Sequence, residues 1–179
     1  MHGRLRWLWV LLLVGCASTG PVREWQTDEA AYFETRRIDT GLRLGTGGYG
    51  SGTPVYLVAQ VRCPGGDCEM ATVELRLVTG SDAVPVYLER RDLVLNADGA
   101  SWRWESAQDP RYAPESTPVR GLLVQVQTNP QVLRQLAEAQ QVTGSVGGLS
   151  FRLGYTERAA LRALVARLEA ALQAPDSGA

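Results

Sequence analysis

The chain has 179 residues and is close to neutral, with 18 basic side chains against 19 acidic ones and a formal charge of −1 at pH 7. Every basic residue is arginine and the single histidine is His2. Beyond that position there is therefore no Ser-His-Asp or Ser-Lys nucleophile, no Schiff-base lysine and no histidine-bound zinc, copper or haem. No basic block stands out, which argues against a nucleic-acid partner. Carboxylates, arginines, tyrosines and hydroxyls are the chemistry that remains.

In chain order, Arg4 and Arg6 come first, followed by an apolar run of eight residues, Trp7 to Val14. That is far short of the ~20 residues a membrane-spanning helix needs. The run closes on Leu13-Val14-Gly15-Cys16, and Ala17 and Ser18 follow. This layout resembles the lipobox signal peptide of bacterial lipoproteins. The resemblance implies cleavage before Cys16, a diacylglyceryl thioether on its sulfur and acylation of the freed amine. An ordinary secretory signal with a chance cysteine is the alternative. On the lipobox reading, residues 1–15 are the signal peptide and residues 16–30 a lipidated N-terminus and flexible tether with a reach of roughly 20 Å. Residues 31–173 are then a single β-rich domain, and residues 174–179 a disordered tail. In the family's sorting scheme an aspartate after the cysteine retains the protein at the inner membrane. Ala17 instead points to the outer membrane, facing the periplasm. The implied partners are the membrane, through the lipid on Cys16, and other envelope proteins; no cofactor or metal is expected.

A first strand is predicted from Tyr32 to Ile38. Gly45, Gly47 and Gly50 match the G-x-G-x-x-G spacing of dinucleotide sites, which works only between a strand and a helix. Here the glycines lead into Pro54 and a strand, so they read as a hairpin loop. Val55, Leu57, Ala59, Val61 and Cys63 alternate with Tyr56, Val58, Gln60 and Arg62, the period of a strand with one buried face. Cys63 and Cys68 bracket Pro64-Gly65-Gly66-Asp67, a turn sequence. In an exported chain the pair reads as a disulfide across a hairpin. A C-x₄-C metal half-site would lack its other two ligands. Val73, Leu75 and Leu77 resume the alternation, but Cys68 has the parity of Glu74 and Arg76, so a bulge is predicted near Met70 to Thr72.

Val84, Val86 and Leu88 form the next predicted strand, then Leu93 and Leu95 lead to a turn at Asn96-Ala97-Asp98-Gly99. Trp102 and Trp104 share one face of a strand, and Arg111 and Tyr112 lie in the proline-rich loop from Gln108 to Arg120. These four are the candidate ligand or partner surface, since paired indoles can stack on sugar rings and arginine can meet a carboxylate or phosphate. Alternatively both indoles fill the core. Leu122, Val124 and Val126 alternate again. Asn129-Pro130 supplies an N-cap and a first-turn proline for a short helix. A hairpin follows, from Val142 to Val146 and from Leu149 to Leu153 around Gly147-Gly148. Thr156 is the predicted cap of a last helix with an apolar stripe at Leu161, Leu164, Val165, Leu168 and Leu172.

The order predicts a mainly β fold: an antiparallel sandwich or open barrel of about eight strands, with a short helix and a C-terminal amphipathic helix. The expected function is that of a non-enzymatic, membrane-anchored envelope lipoprotein that binds or helps assemble other envelope proteins. The alternative is a lipoprotein that holds a glycan, lipid or small molecule. A carboxylate-dependent cell-wall hydrolase is the third reading, and it requires two facing carboxylates, one with a raised pKa.

Overall fold

The structure, a computed structural model, describes residues 20–44, 52–80, 92–105 and 121–174. Cys16 and the signal peptide predicted before it, the glycines of 45–51, the strand predicted at Val84–Leu88, the loop with Arg111 and Tyr112, and the tail from 175 lie outside the described residues. The expected fold class holds. Among the described residues, ten antiparallel strands form two open sheets, accompanied by two helices.

Sheet A takes the order β1 (Val22–Gln26), β2 (Ala30–Thr35), β4 (Thr53–Pro64), β5 (Thr72–Thr79) and β8 (Leu122–Thr128), with β3 (Ile38–Leu44) also on β4. Sheet B runs β10 (Leu149–Leu153), β9 (Val142–Val146), β6 (Leu93–Ala97) and β7 (Ala100–Trp104). The alternation seen in the sequence is the burial pattern: Val55, Leu57, Ala59, Val61 and Cys63 have no exposed surface, nor do Val73, Leu75 and Leu77. These side chains, the inward residues of sheet B and the apolar faces of α1 (Pro130–Glu138) and α2 (Tyr155–Gln173) make one continuous core.

The long strand β4 serves two partners on the same edge. Its second half pairs with β2, from Ala30↔Pro64 to Glu34↔Gln60, and its first half with β3, from Ile38↔Leu57 to Leu44↔Thr53. The strand predicted over Tyr32–Ile38 is thus broken at Arg36-Arg37, and the break leaves backbone groups of β4 without ladder partners. Two buried threonines supply them. Thr35 Oγ1 accepts the Ala59 N–H at 3.0 Å, and Thr40 Oγ1 donates to the Val55 carbonyl at 2.8 Å where β3 shifts register. A buried amide with no acceptor costs about 1–3 kcal/mol. Thr35→Val, nearly the same shape without the acceptor, is therefore expected to lose about that much stability in urea titration, and Thr35→Ser to retain most of it. Equal stability of the valine and serine variants would show that the hydroxyl does not satisfy this amide.

Several sequence-level expectations need correction. Residues 22–26 belong to the fold rather than to a tether: β1 pairs with β2 over its whole length, Val22↔Thr35 to Gln26↔Ala31, and buries Val22. The chain joins the domain at Pro21, whose carbonyl accepts the Arg36 N–H. The phase change between the cysteines needs no bulge in β5, because Cys68 precedes the strand. A second turn, closed by Ala71 N–H to the Cys68 carbonyl, resets the alternation. The cap of α2 is Gly154 without a side-chain bond, not Thr156, which the helix already contains. Leu161, Leu164, Val165 and Leu168 are buried as the stripe requires, but Leu172 is 40% exposed because the last turn runs past the core. The start of α1 matches its prediction: Asn129 Oδ1 accepts the Val132 N–H at 3.1 Å, with proline in the first turn.

Candidate functional site

Cys63 and Cys68 are joined, with 4.5 Å between their α-carbons. Gly66 N–H to the Cys63 carbonyl and Asp67 N–H to the Pro64 carbonyl close the turn between them. A loop this short stabilises by about 2 kcal/mol in the chain-entropy account. Gly65 N–H donates to the Glu29 carbonyl at 2.7 Å, so this turn also fixes the β1–β2 turn beside it.

Trp102 and Trp104 prove to be on the inner face of sheet B. They lie opposite Leu95 and Leu93, half-buried against the core, while Arg103 projects outward and pairs with Asp92 at 3.3 Å. Both indoles therefore pack against the core while keeping part of their surface exposed.

An exposed aromatic pair lies elsewhere, on the outer face of sheet A. Trp25 of β1 lies directly opposite Tyr32 of β2, and their rings stack 5.1 Å apart with an interplanar angle of 4°. Tyr32 in turn lies opposite Arg62 of β4, so indole, phenol and guanidinium line up across three strands. Trp25 is 40% exposed. Beside this row runs a polar network. The Arg76 guanidinium of β5 reaches across β4 to Glu34 of β2, and its Nε also pairs with Glu74 at 3.3 Å. Glu74 accepts from Gln125 Nε2 of β8 at 2.7 Å. Arg76, Glu34 and Glu74 are only 17%, 20% and 23% exposed, so the network is half-buried and screened less than a surface pair.

Two carboxyls titrate low. The Arg43 guanidinium, in a two-bonded pair with Asp39, and the Gly41 N–H hold the Asp39 carboxyl below its usual value. The Asp98 carboxylate sits in the tight turn between β6 and β7 and caps the connection from α1 to β9. It accepts the N–H of Gln140 at 2.6 Å and of Gln141 at 2.9 Å, and these two bonds hold its pKa down. Both shifts run opposite to the raised acid that a carboxylate hydrolase requires. A depressed carboxyl stabilises the fold above its unfolded-state pKa, and that stability is lost as pH falls through the folded value. Stability is therefore expected to decline on acidification below about 3.9, and Asp98→Asn to flatten that decline while costing stability at neutral pH. An unchanged acid limb in Asp98→Asn would show that this cap does not contribute. Arg158, 5% exposed on α2, completes the clamp by donating to the Gln140 and Gly154 carbonyls at 2.8 and 3.1 Å.

Among the described residues no three His, Cys, Asp or Glu side chains gather as a metal site. No protein-family model matches this sequence, and comparison with curated proteins and with solved structures finds no match. Function must be read from the surface itself.

Proposed function

We propose that the chain is a lipid-anchored lipoprotein of the bacterial envelope, held through Cys16 in the outer membrane facing the periplasm. In this reading it has no catalytic activity and uses the outer face of sheet A to bind or help assemble other envelope proteins. The observation that carries the reading is the stacked Trp25–Tyr32 pair beside the Glu34–Arg76–Glu74–Gln125 network. Tryptophan, tyrosine and arginine are the residues that most often dominate protein interfaces. Side chains already held by one another lose less freedom on binding, so more of the contact energy survives as affinity.

The test is crosslinking of the lipidated protein in its native envelope, with mass spectrometry of what copurifies. A stoichiometric protein partner, lost in Trp25→Ala, is the expected result. Recovery of the protein alone would overturn it. A second reading, capture of a glycan, lipid or small molecule, is favoured by one feature: an exposed indole stacked on Tyr32, with the Arg62 guanidinium next in the row across the sheet, is also a surface on which a sugar ring can stack.

A further inference from the structure

The position at which the chain joins sheet A has a charge of its own. Pro21 is hydrogen-bonded to Arg36, and Val22 and Arg23 lie opposite Thr35 and Glu34. Arg23, Arg36 and Arg37 are therefore gathered around this junction, all exposed. None of the three has an ion-pair partner among the described residues; Arg37 lies over the Tyr56 ring at 5.7 Å. The acids nearby are engaged otherwise: Glu34 with Arg76, Asp39 with Arg43, and Glu24 with Arg167 of α2 at 3.0 Å. The opposite end of the β1–β2 hairpin has the reverse character. Asp28 and Glu29 in its turn, with Asp67 and Glu69 in the neighbouring disulfide turn, are exposed acids roughly 20 Å away at the rise of a strand.

Chain length sets this basic junction against the membrane. Pro21 is only five positions beyond Cys16, and fully extended those five steps span at most about 18 Å. We infer that Arg23, Arg36 and Arg37 form a docking surface for the anionic phospholipid headgroup layer in which the lipid of Cys16 is embedded. This inference rests on the anchor proposed above. The arginines are drawn to the headgroup phosphates and the acidic turns are repelled, so the domain stands in one orientation. The acidic turns then point away from the membrane, with the stacked Trp25–Tyr32 pair on the flank between the two poles. A basic side chain close to an anionic membrane contributes about a five-fold preference, so three multiply the docked-to-undocked ratio on the order of a hundred-fold. The effect fades beyond a screening length of about 8 Å at physiological salt, and a tether this short lets the domain settle within it.

Trp25, two residues beyond Arg23, is the built-in reporter. The lipidated full chain is placed in vesicles of 30% phosphatidylglycerol in phosphatidylcholine containing a headgroup spin-labelled lipid, and quenching of tryptophan fluorescence is read. Trp25→Phe identifies its share of the signal. The expected result is Trp25 quenching that falls at high salt, in pure phosphatidylcholine and in the variant Arg23→Gln/Arg36→Gln/Arg37→Gln. The charge-matched variant Arg134→Gln/Arg152→Gln/Arg162→Gln is expected to keep it. Equal quenching in both triple variants, or in neutral vesicles, would overturn the inference and leave proximity by tether alone. Protection of Trp25 by cell-wall glycan fragments but not by vesicles would overturn it as well. Should the triple variant fail to fold, Arg23→Gln alone is expected to shift the ratio about five-fold. The mass of the N-terminal peptide shows separately whether Cys16 carries lipid. If it does not, the anchor reading fails, and binding of the same unlipidated variants to the same vesicles at millimolar lipid still decides whether the arginines recognise an anionic surface.

Discussion

Gly144→Ala is expected to destabilise the domain by about 3 kcal/mol, the upper end of the range for overfilling a packed core. Gly144 stands in the middle of β9 with Phe151 opposite it on β10 and Leu95 opposite it on β6. The Phe151 ring lies over the glycine. An added β-carbon would sit 2.3 Å from Phe151 Cζ and 2.8 Å from Leu95 Cδ2, closer than real contacts allow. Neither neighbour has room to yield, since Phe151 is 6% exposed and Leu95 fully buried. The clash predicts its own remedy. Phe151→Leu should destabilise on its own, because it opens space over Gly144, yet Gly144→Ala/Phe151→Leu should be more stable than Gly144→Ala. Urea titrations of the four proteins give the coupling directly. A Gly144→Ala midpoint within error of the unsubstituted protein would mean that the ring does not cover the glycine.

Cys16→Ser is expected to shift the protein from the membrane to the soluble fraction. No helix of the described residues is long and apolar enough to cross a membrane, and the eight-residue run from Trp7 to Val14 is too short to span one. In the proposed lipoprotein reading, attachment depends on acyl chains. A single chain binds with K of about 10⁴ M⁻¹, whereas two or three hold durably. In the proposed reading the Cys16 sulfur carries the diacylglyceryl group and its freed amine the further chain, so the serine variant would lack the anchor. The junction arginines do not substitute for them, being worth on the order of 3 kcal/mol together and less as salt rises. Fractionation of carbonate-washed membranes measures this, and continued attachment of the serine variant would end the lipoprotein reading.

Elements with a complete one-sided pattern were legible before any coordinates. The hairpin of β9 and β10 follows from five-residue strands around Gly147-Gly148, and both glycines take the positive φ that a two-residue turn demands. The strand β1 was illegible for the opposite reason: it is an edge strand that buries Val22 and exposes its other four residues, so it carries no alternation. With it the candidate site was missed, because Trp25 fell in the presumed tether. An aromatic residue in a segment otherwise suited to a linker was the available signal. Trp102 and Trp104 had the converse problem. Their spacing shows that they share a face, but only the pairing with Leu93 and Leu95 shows that this face is the core. Thr35 and Thr40 carry no signal of burial at all, because what buries them is a break in the ladder of another strand.

The five-residue spacing of Cys63 and Cys68 has a consequence for how the chain matures. Exported proteins with many cysteines must find one pairing among several and depend on isomerases to correct errors. Were Cys16 lipidated as proposed, two thiols would be left, and oxidation would have one intramolecular product. Both lie in the β4–β5 hairpin, which needs no distant segment to form, whereas β5 must wait for β8 and β6 for β9. The covalent link can therefore close on a chain that is still largely unfolded, and with Cys16 lipidated as proposed it would leave no free thiol with which a neighbouring chain could exchange.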